Sequence, residues 1–401
     1  MKILFLTTIM PRKKRMGGEV ASQCFIDALI KNGYQVTVVG YMRRDDVFEP
    51  HSQEIVVGKR YIETKKAKFY PLLWLTKAIL LGLPYSAGKY YSRAYIKTIQ
   101  KLLSTQEYDA IVIDHPQIAW LQSYLPRKEQ QKLFMIAHNV EHQIYTQNSK
   151  EAQNQLARWV YQRESHLIKK LEDQLAKNAH EVWALTNADA EYFTALEEVK
   201  KVRVCSLPPH LEKVDQVSIQ PQTKTCDIAI IGSWAWKPNF EGLQWFLDTV
   251  YPQLPTHLSI HIAGRGAEWL INKYPNIKYL GFVPDVQEFM AQARVVAIPI
   301  LSGGGIQIKT LDAIASGSNI VATNIALRGI SDPPETVNLA QNTEEFSHLL
   351  VKTVTTDNSK TNQQELNAAW HWLSKRQEHF ITDLSEAISR KNKSINESSK
   401  F

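Results

Sequence analysis

Residues 302–317 read SGGGIQIKTLDAIASG and follow the apolar run ARVVAIPI at 293–300. That run has the length of a buried strand, and the spacing of Ile308, Leu311 and Ala315 predicts a helix directly after the glycines. Glycines let a ligand approach the backbone closely, and the N–H groups at a helix start favour an anion. Lys309 and Asp312 share the other face of this helix, where they could meet a phosphate and the hydroxyls of a ribose. Because the pattern is neither GxGxxG nor a Walker motif, a diphosphate site and a plain strand-to-helix turn both remain open.

The same order of strand and helix recurs along the chain. The runs KILFLT at 2–7 and QVTVVG at 35–40 flank a helical pattern at 19–30, and such a βαβ unit predicts a parallel sheet. Two series of such strands predict an α/β protein with two doubly wound, Rossmann-like domains facing a cleft, in which ligands bind at the carboxyl ends of the strands. The remaining strands are predicted at 110–114, 132–138, 181–186, 226–233, 258–266, 277–283, 294–300 and 319–324.

The polar stretch between the two series predicts the domain boundaries. Residues 1–211 form the first Rossmann-like domain, 212–225 a linker and 226–350 the second Rossmann-like domain. Residues 351–390 read as helices that are expected to pack back towards the N-terminal domain, and 391–401 as a frayed tail.

Cysteine usage and hydropathy indicate a cytoplasmic protein. The three cysteines are far apart and form no CxxC pair, which argues against a disulfide framework or a zinc site. The opening run MKILFLTTIM precedes the basic run RKKR, whereas a signal peptide has its charges first. No segment reaches the roughly 18–20 apolar residues of a membrane span. The nearest, PLLWLTKAILLGLP at 71–84, is expected to be a buried helix, with a surface that touches a membrane or a lipid-like acceptor as the alternative.

Basic residues are concentrated in the first hundred positions, which hold 17 Lys and Arg against 7 Asp and Glu. This excess predicts an anionic partner, with a solvated basic face as the alternative. A basic rim would suit a protein that makes peripheral contact with the inner face of an anionic membrane. The rim comprises the basic run at 11–15 together with Arg43, Arg44, Lys65, Lys66 and Lys68. The acidic pair at 45–46 is expected to be solvated. With no zinc-finger spacing, helix-turn-helix pattern or aromatic-basic motif, no nucleic-acid partner is expected.

Several motifs resemble those of GT-B glycosyltransferases, specifically family 4, also called group 1. In the C-terminal half their order and spacing match over about a hundred residues, and GGE at 17–19 and AHNVEH at 137–142 match in the N-terminal half. The motifs of the C-terminal half are GSWAWKPNFEGLQWFLDTVYPQL, IAGRG, LGFVPDV, VVAIPILSGGGIQIKTLDAIASG and NIVATNIALRGI.

The resemblance implies roles for individual residues. It makes 226–350 the nucleotide-sugar-binding domain and 1–211 the acceptor-side domain. Gly17 and Gly18 would lie in a loop that faces the donor diphosphate, and His138 near the donor sugar as the catalytic residue. Glu141 and His142 are expected to be capping or solvated residues. The donor-binding set implied by the resemblance is Gly17, Gly18, Gly232, Lys237, Arg265, Val283, Gly304, Gly305, Lys309 and Asp312.

The sequence departs from the family pattern at its anion-binding positions. The first glutamate of the family's glutamate pair falls on Gly304, and the second is shortened to Asp312. The usual arginine after the first strand of the domain falls on Ser233, and Lys237 is only a near match for its lysine partner. Arg265 would then supply charge instead, or lie on the surface. The pairing of WAWKPN with GGGIQIK resembles a recurrent variant of the family.

The resemblance implies a glycosyltransferase that moves a sugar from a nucleotide-diphosphate sugar to a glycan, glycolipid or lipid-linked acceptor. The resemblance also implies retention of the anomeric configuration. Neither a metal nor another cofactor is expected, because family 4 enzymes generally need no tightly held metal and no DxD pair follows a strand. Two alternatives remain open: a GT-B nucleotide-sugar epimerase, and a non-catalytic GT-B subunit that binds a partner enzyme.

Overall fold

The computed structural model describes residues 1–47, 49–62, 67, 69–209, 223–356 and 363–398. The chain divides into two compact units. The first comprises Met1–Ser206 together with Phe380–Phe401, and the second comprises Leu207–His379. The last helix of the chain, Gln363–Ser398, therefore contributes to both units.

A seven-stranded parallel sheet forms the centre of the first unit. Its strands are β1 (Lys2–Ile9), β2 (Gln35–Arg43), β3 (Glu54–Arg60), β4 (Ala110–Asp114), β5 (Leu133–Ala137), β6 (Glu181–Ala184) and β7 (Val202–Val204). The strand order is β3-β2-β1-β4-β5-β6-β7, so the direction of winding reverses between β1 and β4. Strands β4 and β5 are buried along their whole length, which is typical of a parallel sheet covered on both faces.

Within the described residues, eight helices of the first unit lie between these strands: α1 (Gly17–Lys31), α2 (Tyr70–Leu80), α3 (Tyr85–Gly88), α4 (Arg93–Thr105), α5 (Arg127–Gln130), α6 (Glu141–Glu151), α7 (Gln155–Asn178) and α8 (Asn187–Thr194). A 3-10 helix, Pro116–Tyr124, follows β4. Ser92, Asn154 and Thr186 cap α4, α7 and α8 by accepting a hydrogen bond from a first-turn N–H.

The second unit contains a six-stranded parallel sheet of order β10-β9-β8-β11-β12-β13. Its strands are β8 (Cys226–Ile231), β9 (Ile260–Ala263), β10 (Ile277–Gly281), β11 (Ala293–Ile298), β12 (Asn319–Thr323) and β13 (Val337–Ala340). Its helices are α9 (Lys237–Trp245), α10 (Val286–Ala291), α11 (Ile308–Ala315), α12 (Thr343–Thr355) and the first part of α13 (Gln363–Ser398). Helix α9 continues into a π-helical turn at Phe246–Val250. Winding reverses between β8 and β11, the point at which such sheets bind ligands.

The prediction of two doubly wound parallel-sheet units is confirmed. Three strands were not predicted from the sequence. Strand β3 is half-buried except for the exposed Lys59, β7 has three residues, and β13 is half-buried over most of its length, so none of them forms a continuous apolar run. The predicted linker at 212–225 lies outside the described residues except for 223–225, and the predicted tail at 391–401 has no described side chains.

Helix α2 corrects the expectation of a buried helix at 71–84. Trp74 and Ala78 are its buried residues, whereas Leu72, Ile79 and Leu80 are more than half exposed. Hydrophobicity predicted the helix correctly, but it cannot show which apolar helix a fold covers. Among the described residues, no helix is long and apolar enough to cross a membrane.

Candidate active site

Asp114 ends β4, and its carboxylate is buried. Its Oδ2 accepts hydrogen bonds from the hydroxyls of Thr7 and Ser22, each at 2.7 Å. Its Oδ1 lies 2.6 Å from Nε2 of His138, the residue that follows β5. Because β1, β4 and β5 are parallel neighbours, their carboxyl ends bring these groups to one edge of the sheet.

His115 belongs to the same cluster, although the sequence reasoning missed it. Its ring stacks on that of His138 with centroids 4.1 Å apart, and its Nε2 lies 3.6 Å from Oδ2 of Asp114. The backbone φ of His115 is +95°, a conformation that is costly for a residue with a side chain and that occurs mainly at functional sites. The sequence signal that could have identified His115 is the polar pair Asp114-His115 at the end of a buried strand.

The two imidazoles and the carboxylate determine the charge of this cluster. Burial alone would raise the pKa of Asp114, but His115, His138 and the hydroxyl of Thr7 hold it well below its usual range. Burial lowers the pKa of His115 to about 4, against the opposing effect of Asp114. At neutral pH, Asp114 is therefore an ionised hydrogen-bond acceptor and His115 is an uncharged imidazole.

A cavity of about 320 Å³ opens beside His115 in the first unit. Its lining combines phenol, hydroxyl, amide, ammonium and imidazole groups, which can hydrogen-bond to a ligand rich in hydroxyls. The lining residues are Thr8, Tyr85, Ser86, Lys89, Tyr90, His115, Gln117 and Tyr145. The volume is at the lower end of the range for small-molecule sites.

Glu141 is connected to this cavity through Gln117, whose Nε2 donates to Oε1 of Glu141 at 2.9 Å. The N–H of Glu141 donates to Oε1 of Glu172 at 2.8 Å, and Nδ1 of His142 lies 2.9 Å from Oε2 of Glu172. Burial and the charge of Glu172 raise the pKa of Glu141 to about 7. Instead of being solvated, Glu141 and His142 are half-buried and contact the buried Glu172, and Glu141 titrates near neutral pH.

Gly17 and Gly18 are the first two residues of α1, so the sequence expectation that they lie in a loop is wrong. A Cβ atom on Gly18 would lie 3.6 Å from Cε1 of His115, which places the first turn of α1 beside the Asp-His cluster. Glu19, in the same turn, accepts a hydrogen bond from the N–H of Arg15 at 2.9 Å and forms an ion pair with the buried Arg43.

The basic rim is partly neutralised within the first unit. Arg15 forms ion pairs with Asp45 and with the buried Asp46, so the expectation that both aspartates are solvated is wrong for Asp46. Arg43 is itself buried. Lys65, Lys66 and Lys68 lie outside the described residues. The cations available for an anionic partner are therefore fewer than the sequence suggested.

The cluster of Asp114, His115 and His138 also has the residue types of a metal site, because one ligand atom from each lies within 4.8 Å of the others. The carboxylate oxygens already accept hydrogen bonds from Thr7 and Ser22 and contact His138. A metal ion would need the same lone pairs. The donor set therefore fits a hydrogen-bonded Asp-His pair better than a metal centre.

In the second unit, the glycine-rich stretch joins β11 to α11. Gly303 and Gly305 have φ of +122° and +65°, values that glycine adopts readily and other residues rarely do. Gly304 lies between them. Within the described part of the chain, the side chain of the N-cap residue Gln307 makes no cap hydrogen bond to α11. A glycine run that ends two residues before an uncapped helix start leaves backbone that an anion can approach.

Lys309 lies in the first turn of α11, and its ammonium group donates a hydrogen bond to Oδ1 of Asn239. Nδ2 of Asn239 donates in turn to the carbonyl of Ser233 at 3.1 Å. Asn239 ends the WAWKPN motif, so the two motifs of the family variant are in direct contact. Burial lowers the pKa of Lys309 to about 7. Asn239 was missed because its partner lies in a distant segment.

Asp312 and Ser316 are buried, although their spacing had placed them on a polar face of α11. Leu311, Ala313 and Ile314 are also buried, in the same apolar cluster. Helix α11 is thus covered on more than one side. The predicted ribose contact by Asp312 stays a prediction.

The other predicted donor-binding residues follow β8, β9 and β10. Gly232 follows β8, and a Cβ on Gly264, which has φ of +106°, would lie 1.7 Å from the carbonyl oxygen of Gly232. Arg265 is exposed, with its guanidinium 4.7 Å from the ring centroid of Phe282. Val283 is half-buried. Lys237 is exposed, with Nζ 3.4 Å from Oε1 of Glu241; the described contacts do not join Arg265 or Lys237 to Lys309.

Comparison with known proteins identifies the fold and a family that the second unit resembles. Residues 225–355 match the family model described as Glycosyl transferases group 1. No curated protein matches the chain. Among solved structures, sucrose-phosphate synthase from Thermosynechococcus elongatus is similar with a TM-score of 0.62 and 13% identity over 100% of both chains. HepE of Anabaena in complex with UDP and glucose has a TM-score of 0.59 and 15% identity, over 97% of this chain and 99% of HepE.

The lipopolysaccharide outer core galactosyltransferase WaaB is also similar, with a TM-score of 0.57 and 10% identity over 98% of this chain and 100% of WaaB. The fold is that of the GT-B glycosyltransferases, with two α/β units built on parallel sheets. More particularly, the second unit resembles the group 1 glycosyltransferases, which confirms the resemblance carried by the sequence motifs.

Proposed function

We propose that the protein is a glycosyltransferase that moves a sugar from a nucleotide-diphosphate sugar to a glycan, glycolipid or lipid-linked acceptor, with retention of the anomeric configuration. This proposal rests on the glycine-rich turn that leads into α11 and on Lys309 in the first turn of that helix, where it is hydrogen-bonded to Asn239. Both lie inside a segment that matches group 1 glycosyltransferases. HepE and a T4 phage protein with this fold are described in complexes with UDP or UDP-glucose, which supports a nucleotide-sugar donor.

The second unit is suited to the departing nucleoside diphosphate. Negative charge grows on the phosphate as the bond from the anomeric carbon to the phosphate oxygen breaks. The N–H groups at the start of α11 and the ammonium group of Lys309 are fixed donors that would stabilise this charge, and preorganised donors of this kind often supply the largest part of catalysis.

The first unit would supply the polar contacts to the transferred sugar and the acceptor. His138 is held by the ionised Asp114, so its ring has a fixed orientation for a contact with the donor sugar. With retention, the acceptor oxygen bonds to the anomeric carbon on the face that the phosphate leaves, and the acceptor proton passes to the departing phosphate oxygen. The cavity beside His115 is the proposed acceptor site.

The expected setting follows from the acceptor. A lipid-linked acceptor would place the enzyme at the cytoplasmic face of a membrane, held by peripheral contact with anionic lipid. Neither a metal nor another cofactor is proposed for the reaction.

One observation favours a nucleotide-sugar epimerase as second candidate. An epimerase needs acid and base groups, and Glu141 has a pKa of about 7 beside the cavity-lining Gln117. The alternative of a non-catalytic subunit is supported by Gly304, because the family has a glutamate at this position.

A panel of donors tests these candidates. Purified protein is incubated with UDP-, GDP- and ADP-sugars, and released nucleotide and the identity of the remaining sugar are measured. Nucleotide release that is lost in Lys309→Ala supports a transferase. Isomerisation of the sugar without acceptor would favour the epimerase, and absence of any turnover, with binding intact, would favour the subunit.

A further inference from the structure

Helix α2 is apolar on the side that faces solvent. Its buried residues are Trp74 and Ala78. Apart from Trp74, the large aliphatic side chains and Phe69 over 69–81 are between 41% and 79% exposed, and they are Phe69, Leu72, Leu73, Leu75, Ile79, Leu80 and Leu81. A helix that is hydrophobic all round is normally covered by other apolar groups, and an exposed apolar patch marks an interaction site.

The polar groups of α2 do not interrupt this outward face. Thr76 lies among the exposed apolar residues, but its hydroxyl donates to the carbonyl of Leu72 at 2.8 Å, so its hydrogen bond is made within the helix. Partial burial, together with the charge of the nearby Arg60, lowers the pKa of the Lys77 ammonium group. A long lysine side chain at the border of an apolar surface can keep its charge in water.

Helix α7 also exposes apolar side chains in this part of the first unit. Glu164 of α7 accepts a hydrogen bond from the N–H of Tyr85 at 2.6 Å, shortly after the end of α2. Leu156 and Val160 precede Glu164 by two turns and one turn of α7, and both are exposed. Exposed apolar side chains are therefore not confined to α2.

The charge around α2 indicates what covers it. The sequence contains no Asp or Glu between Glu63 and Glu107, while Lys and Arg recur throughout that stretch. Arg44 contacts the hydroxyl of Tyr70 at 3.5 Å and lies 5.0 Å from the ring centroid of Tyr61. An apolar helix that carries Lys77, lies beside Arg44 and has no acidic residue of its own is complementary to a bilayer with anionic headgroups.

We propose that the outward face of α2 docks this protein on an anionic bilayer, with its aliphatic side chains below the headgroups and the neighbouring cations among the phosphates. The basic run at 11–15 contributes less to this docking, because Arg15 forms ion pairs with Asp45 and Asp46.

The docking helix lies next to the proposed acceptor cavity. A Cβ on Gly88 of α3 would lie 2.9 Å from the Cβ of Ala78, so α2 and α3 are packed in close contact. Helix α3 and the residues after it supply Tyr85, Ser86, Lys89 and Tyr90 to the cavity wall. Docking through α2 would hold the cavity beside the headgroups. The identity of the acceptor as lipid-linked rests on the proposed function, whereas the docking itself does not.

Sedimentation with vesicles tests the docking on the full chain. Vesicles of phosphatidylcholine mixed with phosphatidylglycerol should sediment the wild-type protein, and phosphatidylcholine alone should sediment much less. Ile79→Glu should weaken binding roughly tenfold or more, because it places a charge in the apolar face. Ile30→Glu is the matched control, since Ile30 is an exposed isoleucine of α1 in the same unit, and it should bind as the wild type does.

Three outcomes would overturn the docking proposal. The first is wild-type protein that stays in the supernatant with both lipid mixtures at low salt, and the second is Ile79→Glu that sediments as the wild type does. The third is a wild-type dimer that does not bind vesicles and that Ile79→Glu converts to a monomer, which would mean that a second copy covers α2.

Donor hydrolysis without vesicles separates this inference from the proposed function. Ile79→Glu should keep the wild-type rate of nucleotide release in solution. Vesicle binding without turnover by the wild type would contradict the transferase and leave the docking intact.

Discussion

The ammonium group of Lys309 bonds to Oδ1 of Asn239 across a separation of 70 positions in the chain. This contact joins the glycine-rich stretch to the WAWKPN segment. The family places a glutamate where this chain has Gly304, and an arginine where it has Ser233. A lysine oriented by an amide, which is itself held by the carbonyl of Ser233, is a different way to hold a positive charge at the start of α11.

Lys309→Ala should weaken binding of the donor nucleotide and slow transfer without unfolding the protein. A charge-assisted hydrogen bond to phosphate is worth about 1.5–3 kcal/mol, so the loss should be roughly 10- to 100-fold. Calorimetric titration with the active donor's nucleoside diphosphate measures it. Lys278→Ala, which removes an exposed lysine of the same unit, is the control. Unchanged affinity and kinetics in Lys309→Ala would remove Lys309 from the donor site.

The same lysine should make nucleotide affinity depend on pH. The folded pKa of Lys309 is about 7, so in the free protein the ammonium group loses its proton as the pH rises through neutrality. A bound diphosphate favours the charged form, and affinity should therefore fall between pH 7 and 9, by up to about tenfold per pH unit. Lys309→Arg keeps its charge and should show a flat profile over this range. Parallel profiles for the two proteins would show that Lys309 does not contact the phosphates.

His138→Ala should lower kcat more than donor affinity. The ring is oriented by Asp114 at 2.6 Å, and loss of such a contact in the transition state would cost roughly 10- to 100-fold in rate. A thermal melt accompanies the assay, with the exposed His348→Ala as control. If activity falls only in proportion to folded protein, His138 has a structural role alone.

Glu141→Gln should stabilise the protein at alkaline pH. The folded pKa of Glu141 is about 7, above its ordinary value of 4.5. Its contribution to the free energy of unfolding is fully present below the unfolded pKa and is lost as the pH rises through 7. Above pH 8 the buried charge should cost about 3 kcal/mol, at about 1.4 kcal/mol for each pKa unit. The melting temperature of Glu141→Gln should exceed that of the wild type at pH 8.5 and match it at pH 5, whereas the exposed Glu197→Gln should follow the wild type.

Gly264→Ala should disrupt the second unit. The new Cβ would lie 1.7 Å from the carbonyl oxygen of Gly232, and φ is +106°; the backbone strain alone costs about 1–3 kcal/mol. Gly281→Ala is the control, because Gly281 has φ of +65° and no atom within 4 Å of its added Cβ, so it should cost only about 1 kcal/mol. Denaturant unfolding compares them, and equal stability of both variants would contradict the close approach of β8 and the loop after β9.

The sequence predicted most strands because a strand covered on both faces is a continuous apolar run. Strands β4 and β12 were placed from such runs, and the edge strand β3 was missed because its residues are half-buried and include Lys59 and Arg60. The glycine-rich turn and the helix that holds Lys309 were predicted because these residues are close in the chain, whereas their part in donor binding stays a prediction. His115 and Asn239 were missed because their roles depend on His138 and Lys309, which come from other elements.

The position of helix α13 in the sequence affects the order in which the two units can fold during synthesis. Phe380, Leu384 and Ile388 are buried, the ring of Phe380 lies 5.0 Å from that of Phe25, and Arg203 pairs with Asp383 at 3.1 Å. All of these residues belong to the first unit. During synthesis the first 206 residues emerge early, but their core stays incomplete until residues 380–388 have been made. A nascent chain or fragment that stops at Ser206 should therefore expose apolar surface around Phe25, and the unit that is translated first is the one whose folding is completed last.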